Sequence, residues 1–163
     1  MKKNIDIQFL DAIDLFCQFS DKLELAKDEN NNYINTPSLD FMSRRMDFLD
    51  EEVEELRKGI EDKDLVETLD GALDVAFIAI TQAYHLFRKE GHNHTKAVVS
   101  TRTAMYEVGI ANLLKNKPTK KGEKITKPEG WKSPNTRLKW LITPPANDVE
   151  LKQYREELGT ECA

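Results

Sequence analysis

Six acidic side chains stand at spacings that suit chemistry. In Asp50-Glu51-Glu52-Val53-Glu54-Glu55-Leu56, a helix would put Glu51 and Glu55 on one face with Glu52 on its edge. In Glu67-Thr68-Leu69-Asp70-Gly71-Ala72-Leu73-Asp74, the three acids fall at steps of three and four. They form one stripe about 60° wide on a helix. The first group taken alone also reads as a solvated acidic face. The second resists that reading, because Asp74 sits inside Leu73-Asp74-Val75-Ala76-Phe77-Ile78-Ala79-Ile80. A charge in apolar surroundings costs several kcal/mol unless it is paired or metal-bound. No lysine or arginine lies within a helical turn of Asp74, so its partner comes from another segment or is a cation.

Oxygen donors without histidine or cysteine suit a hard divalent ion, magnesium or manganese, that bridges phosphates and activates water. A helical di-iron centre would need Glu-x-x-His pairs. The residues three before His85, His92 and His94 are Gln82, Lys89 and Gly91, so iron is set aside. Gly91-His92-Asn93-His94 lacks a third ligand nearby and reads as a turn between helices. Cys17 and Cys162 form no C-x-x-C motif, which leaves structural zinc and redox chemistry unsupported.

Helices must carry these acids. Phe9, Ile13, Phe16, Phe19 or Leu23, and Ala26 predict a first helix over about 5–26, followed by a loop over 27–37. Leu39, Met42, Met46, Leu49, Val53, Leu56 and Ile60 predict a second, opened by Ser38 as its cap. A third runs from about Asp64 to Glu90, with Gly91 as its stop; its middle, Gly71 to Ile80, is apolar nearly all round and is expected to be buried on most sides. A fourth spans about Thr95 to Asn116. From Lys117 to Pro145, prolines and glycines break any long helix, and an ordered arm with one hairpin is expected; Asp148 to Leu158 can form a short terminal helix. The expectation is an all-α four-helix bundle, one domain over 1–163, with a helical core at about 5–116 and an irregular basic arm at about 117–145. The third helix exceeds what three neighbours would cover, so a homodimer or homotetramer is expected.

The chain has 163 residues, 39% hydrophobic and 33% charged, and a net charge of −5. From Lys115 to Lys132 seven lysines meet two glutamates, a local +5, which leaves −10 for the rest. An acidic body beside a basic segment suits a protein that handles metal cations and an anion together; a lysine-rich solvated loop is the plainer alternative. No apolar run reaches the roughly 18 residues of a membrane span, and the N-terminal residues lack a signal-peptide core. The cytoplasm is the default expectation, with no membrane partner.

Glu51-Glu52-x-x-Glu55, followed by Glu67-x-x-Asp70 and then Asp74, resembles the MazG-like all-α nucleotide pyrophosphohydrolases. That group includes the dimeric dUTPases and phosphoribosyl-ATP pyrophosphohydrolase. Asp74-Val75-Ala76-Phe77 fits the apolar context of the family's second acid better than Asp70-Gly71, and both stay candidates. Tyr106-Glu107-Val108, Asn112, Lys115 and the stretch Gly122 to Trp131 are similar to the ending of phage and bacterial members; the resemblance covers about Ile13 to Pro134. It implies magnesium-dependent hydrolysis of a nucleoside triphosphate to monophosphate and pyrophosphate, in nucleotide-pool cleansing. It implies that Glu51, Glu52 and Glu55 are catalytic, and that Glu52, Glu55, Glu67, Asp70 and Asp74 hold metal. Glu107 would join the acidic site, while Asn112, Lys115, Lys124 and Lys127 would face the nucleotide. A deoxynucleotide is the expected substrate; phosphoribosyl-ATP is the alternative. A non-enzymatic nucleic-acid-binding module is the other alternative, disfavoured because a −10 body repels phosphate backbones.

Overall fold

The computed structural model describes residues 11–22, 29, 37–117, 120 and 122–158. Among them the protein is all-helical, with six helices: α1 (Ala12–Ser20), α2 (Leu39–Asp62), α3 (Leu65–Lys89), α4 (His94–Leu113), α5 (Asn135–Ile142) and α6 (Asp148–Leu158). None is long and apolar enough to cross a membrane. The outer turns expected for the first helix at 5–10 and 23–26, most of the 27–36 loop and Cys162 lie outside the described residues. The chain divides into two compact units, 1–101 and 102–163, with α4 contributing to each.

The first unit is organised by the α2–α3 hairpin. Ser38 Oγ accepts from the Phe41 amide at 3.0 Å and opens α2. Lys63 ends it in the left-handed region (φ 57). Asp64 Oδ1 then accepts from the amides of Val66 and Glu67 and starts α3. Two glycines set how closely the helices approach. A Cβ on Gly71 would lie 2.9 Å from Leu56 Cα, and one on Gly59 would lie 2.8 Å from the Thr68 amide nitrogen. Each helix therefore presses backbone against backbone, and the register pairs Leu56 with Gly71 and Gly59 with Thr68. Farther from the turn, Arg45 Nη2 donates to Thr81 Oγ1 at 2.8 Å and Gln82 Nε2 to the Met42 carbonyl at 2.7 Å.

α1 packs on α3 through Phe16 and Phe19, whose rings meet Phe77 edge-on at 5.0 and 5.6 Å. Its C-cap, Asp21, accepts from the Tyr84 hydroxyl at 2.7 Å, and His94 Nδ1 lies 2.8 Å from the same hydroxyl. Burial and the Asp21 bond push the Tyr84 phenol above its usual range. The 91–94 segment is a turn: Gly91 takes φ 85, buried His92 stacks on Phe87, and Asn93 Oδ1 caps α4 through the Lys96 amide.

Two expectations change. The middle of α3 is not buried on most sides within this chain. Gly71 and Ile78 are buried against their neighbours, but Leu69 is 62% and Leu73 53% exposed. The apolar surround of this segment serves two faces, and one has no cover among the described residues. The arm also contains a helix: the eight residues of α5 lie between Pro134 and Pro144-Pro145, prolines that flank the helix without entering it. In the loop before it, Trp131 donates its indole N–H to the Ala111 carbonyl of α4 at 2.7 Å. Trp140 packs edge-on against Tyr154 of α6 at 5.4 Å. Among the described residues an isolated antiparallel bridge pairs Asn116 with Thr126 where a hairpin was expected.

Two predictions follow from packing. Gly71→Ala should destabilise the protein by about 1–3 kcal/mol, although alanine is the better helix former by about 1 kcal/mol. Gly109→Ala, whose Cβ would meet nothing within 4 Å, should stabilise by up to about 1 kcal/mol. Urea unfolding of both variants checks the opposite signs.

The other concerns His85, which is fully buried and edge-on to Phe41 and Tyr84, with neither ring nitrogen hydrogen-bonded. Burial first, then the charge of Arg45, lower its pKa from 6.5 to about 4; Asp21 opposes and Arg88 reinforces the shift. Between those values the unfolded chain binds a proton that the folded chain refuses, so stability is full above about pH 6.5 and falls towards pH 4. From pH 7.5 to 5.0 the wild type should lose about 2 kcal/mol more than His85→Leu in urea unfolding. Equal losses would show that His85 is not the group responsible.

Candidate functional site

The α2–α3 register brings Glu52 level with Asp74 and Val75. Glu52 is half-buried, as is Asp74; Glu51, Glu55, Glu67 and Asp70 are exposed. Partial burial raises the Glu52 pKa, and the negative charges of Asp74, Glu55, Glu51 and Asp70 raise it further, in that order. Five of the six acids therefore act on one another across the helix pair. Glu67 lies nearer the turn, opposite Ile60 by the same register, and is not among the charges that act on Glu52.

No cation within the pair relieves this crowding. Arg57 pairs with Glu54, one residue outside the cluster's face. Ion pairs to Glu52 or Asp74 are absent among the described residues. Asp74 is half-buried beside α2 rather than sunk in the apolar core.

The donor chemistry suits a hard cation: every group is a carboxylate, and none carries a competing imidazole or thiolate. As the side chains stand, no three acidic, histidine or cysteine groups among the described residues converge on one ion position. The fit is therefore one of donor type and charge.

The second unit holds the remaining residues. Lys115 Nζ donates to Asn112 Oδ1 at 2.6 Å, and Asn112 Nδ2 donates to the Val108 carbonyl at 3.0 Å. Lys127 Nζ stands 4.4 Å and Lys115 Nζ 5.7 Å from the centre of the Trp131 ring. Asn112, Lys115 and Lys127 are thus gathered around one indole, while Lys124 stands exposed on the same arm. Glu107 forms an ion pair with Arg137, Oε2 to Nη1 at 2.7 Å. Both line an open groove of about 690 Å³ with Ile110, Leu114, Trp131 and Lys132. Arg137 is the residue that sequence reasoning missed. Its signal was the apolar run Leu138, Trp140, Leu141 and Ile142, enough for two turns of helix between prolines.

No known family, curated protein or solved structure matches this chain.

The acidic cluster yields a stability prediction. Raising the Glu52 pKa means that its ionisation costs the folded state stability as pH rises through the raised value. Glu52→Gln and Asp74→Asn should therefore melt at an equal or higher temperature than wild type in EDTA at pH 7.5. Magnesium should raise the melting temperature of wild type more than that of either variant. Strong destabilisation of Asp74→Asn in EDTA would instead mark it as the partner of a buried cation, a loss of about 3–5 kcal/mol.

Proposed function

We propose that this protein is a magnesium-dependent hydrolase that splits a nucleoside triphosphate, preferably a deoxynucleotide, into monophosphate and pyrophosphate within the cytoplasmic nucleotide pool. The observation that carries the reading is the uncompensated set of carboxylates across α2 and α3, where partial burial and then the charges of its neighbours raise the Glu52 pKa. The resemblance of Glu51-Glu52-x-x-Glu55 and Glu67-x-x-Asp70 to the MazG-like pyrophosphohydrolases supports it.

Glu52, Glu55, Asp70 and Asp74 are the residues that would hold magnesium, with Glu67 one turn before Asp70. When bound, the ion supplies positive charge against the phosphate chain. Glu51 stands exposed at the edge of the group. It takes the proton as the oxygen of water joins phosphorus and the α–β phosphoanhydride bond opens. In the second unit, lysine ammonium groups around Trp131 offer point charges suited to phosphate oxygens. The bundle is read as the four-helix type of this family with a basic arm. The exposed Leu65, Leu69 and Leu73 on α3 support a second copy covering that face, in a homodimer or homotetramer.

A panel of ribo- and deoxynucleoside triphosphates with magnesium tests the reading, with products separated by chromatography. Monophosphate and pyrophosphate are expected, and EDTA should abolish them. Asp74→Asn and Glu55→Gln should each lower kcat/KM by about a hundredfold or more, near 3 kcal/mol of transition-state stabilisation. Diphosphate and phosphate as products, or full turnover after exhaustive metal removal, would defeat the proposal.

A further inference from the structure

The groove of the second unit is built differently from the acidic cluster. Glu107 and Ile110 on α4, and Leu114 just past its end, fall at steps of three and four and face it together. The 128–134 loop and the first turn of α5 form its other walls. Its volume of about 690 Å³ lies within the range of small-molecule sites, which are mostly apolar with a few fixed polar groups. Trp131 is pinned by its indole N–H bond to the Ala111 carbonyl, so its orientation is set before any ligand arrives. Lys115 and Lys127 stand over that ring but do not line the groove. A planar ring is the ligand chemistry that a fixed indole wall favours.

The polar groups in the groove narrow the class. The Glu107–Arg137 bond uses one carboxylate oxygen, Oε2, and one terminal nitrogen, Nη1. Glu107 Oε1 and Arg137 Nη2 remain beside it, an acceptor next to a donor, and each carboxylate oxygen can accept more than once. Glu107 is largely covered, its side chain 15% exposed, while that of Arg137 is 44% exposed towards solvent. Stability does not explain the arrangement, since an ion pair with one exposed partner contributes little. Guanine is the base whose edge sets two adjacent donors, N1–H and N2–H, beside an acceptor, O6. A carboxylate receives the two donors, and a guanidinium reaches the acceptor, as arginine does in reading guanine elsewhere. Adenine offers a single amino donor on that edge. Thymine turns two carbonyl oxygens towards it, and cytosine two acceptors beside one amino group.

We propose that this groove recognises guanine, with Glu107 and Arg137 reading the base edge and Trp131 stacking on its face. The groove lies wholly in the second unit, and direct binding tests it apart from the hydrolase reading: calorimetric titration of wild type, Glu107→Gln and Arg137→Lys with guanosine and adenosine in EDTA, with circular dichroism to establish folding. Wild type should bind guanosine about tenfold or more tighter than adenosine. Glu107→Gln should lose that preference. Arg137→Lys, which keeps the ion pair's charge, should narrow it, and it serves if Glu107→Gln does not fold. No binding of guanosine, equal binding of the two nucleosides, or a guanosine preference that both variants keep would overturn the proposal.

Discussion

The close approach of α2 and α3 at Gly59 and Gly71 governs the first unit. Packed helices usually keep their axes apart by the width of the side chains between them. Here two positions lack side chains, and backbone atoms take their place. The contact does more than save space. It allows one antiparallel register, because sliding either helix by a residue would drive a Cβ into the neighbouring backbone. That register decides which acids meet. Glu52 faces Asp74 because Leu56 faces Gly71, one turn nearer the hairpin's end.

Along this ladder the environment changes in steps. Near the turn, backbone packs on backbone. One to two turns on, carboxylates crowd at the boundary between core and solvent. Farther still, the pair buries polar groups that bond across it, with Arg45 on Thr81 and Gln82 on the Met42 carbonyl, while His85 stays neutral between two aromatic rings. The two polar zones solve opposite problems. The inner one keeps His85 neutral and gives Arg45 a hydroxyl acceptor. The outer one keeps like charges together without pairing them, an arrangement that packing must hold against repulsion.

Much of this was legible in the residues. The steps of three and four in α2, the cap at Ser38 and the stop at Gly91 are local signals, and local physics decides them. The six acids were legible as two stripes, but not their pairing, because register depends on two glycines whose role appears only when a second helix lies against them. Asp74 read as buried because its neighbours in sequence are apolar; the helix turns it towards α2 and half into solvent, which a one-dimensional pattern does not weigh. α5 was hidden by prolines. Pro134 and Pro144 exclude a long helix, and the same residues are compatible with a short one between them. The Glu107–Arg137 pair joins residues thirty positions apart through that helix, so it was out of reach once α5 was missed.

A contrast within α2 bears on what the crowded acids are for. Glu54 has an arginine three residues on and uses it. Around Glu52, the positions three and four away hold Leu49, Glu55, Phe48 and Leu56; around Asp74 they hold Gly71, Phe77, Asp70 and Ile78. Neither acid has a cation within reach on its own helix, although the same chain supplies one to the acid two residues along. A face shaped for stability would carry alternating signs, each pair worth a few tenths of a kcal/mol. A face shaped only for solubility would stand clear of the helix interface, where water screens repulsion. Glu52 and Asp74 do neither, for they are half-buried and mutually repelling. No cation on the two helices compensates them. In the function proposed above, a small divalent ion would do so, since it meets several carboxylates at once.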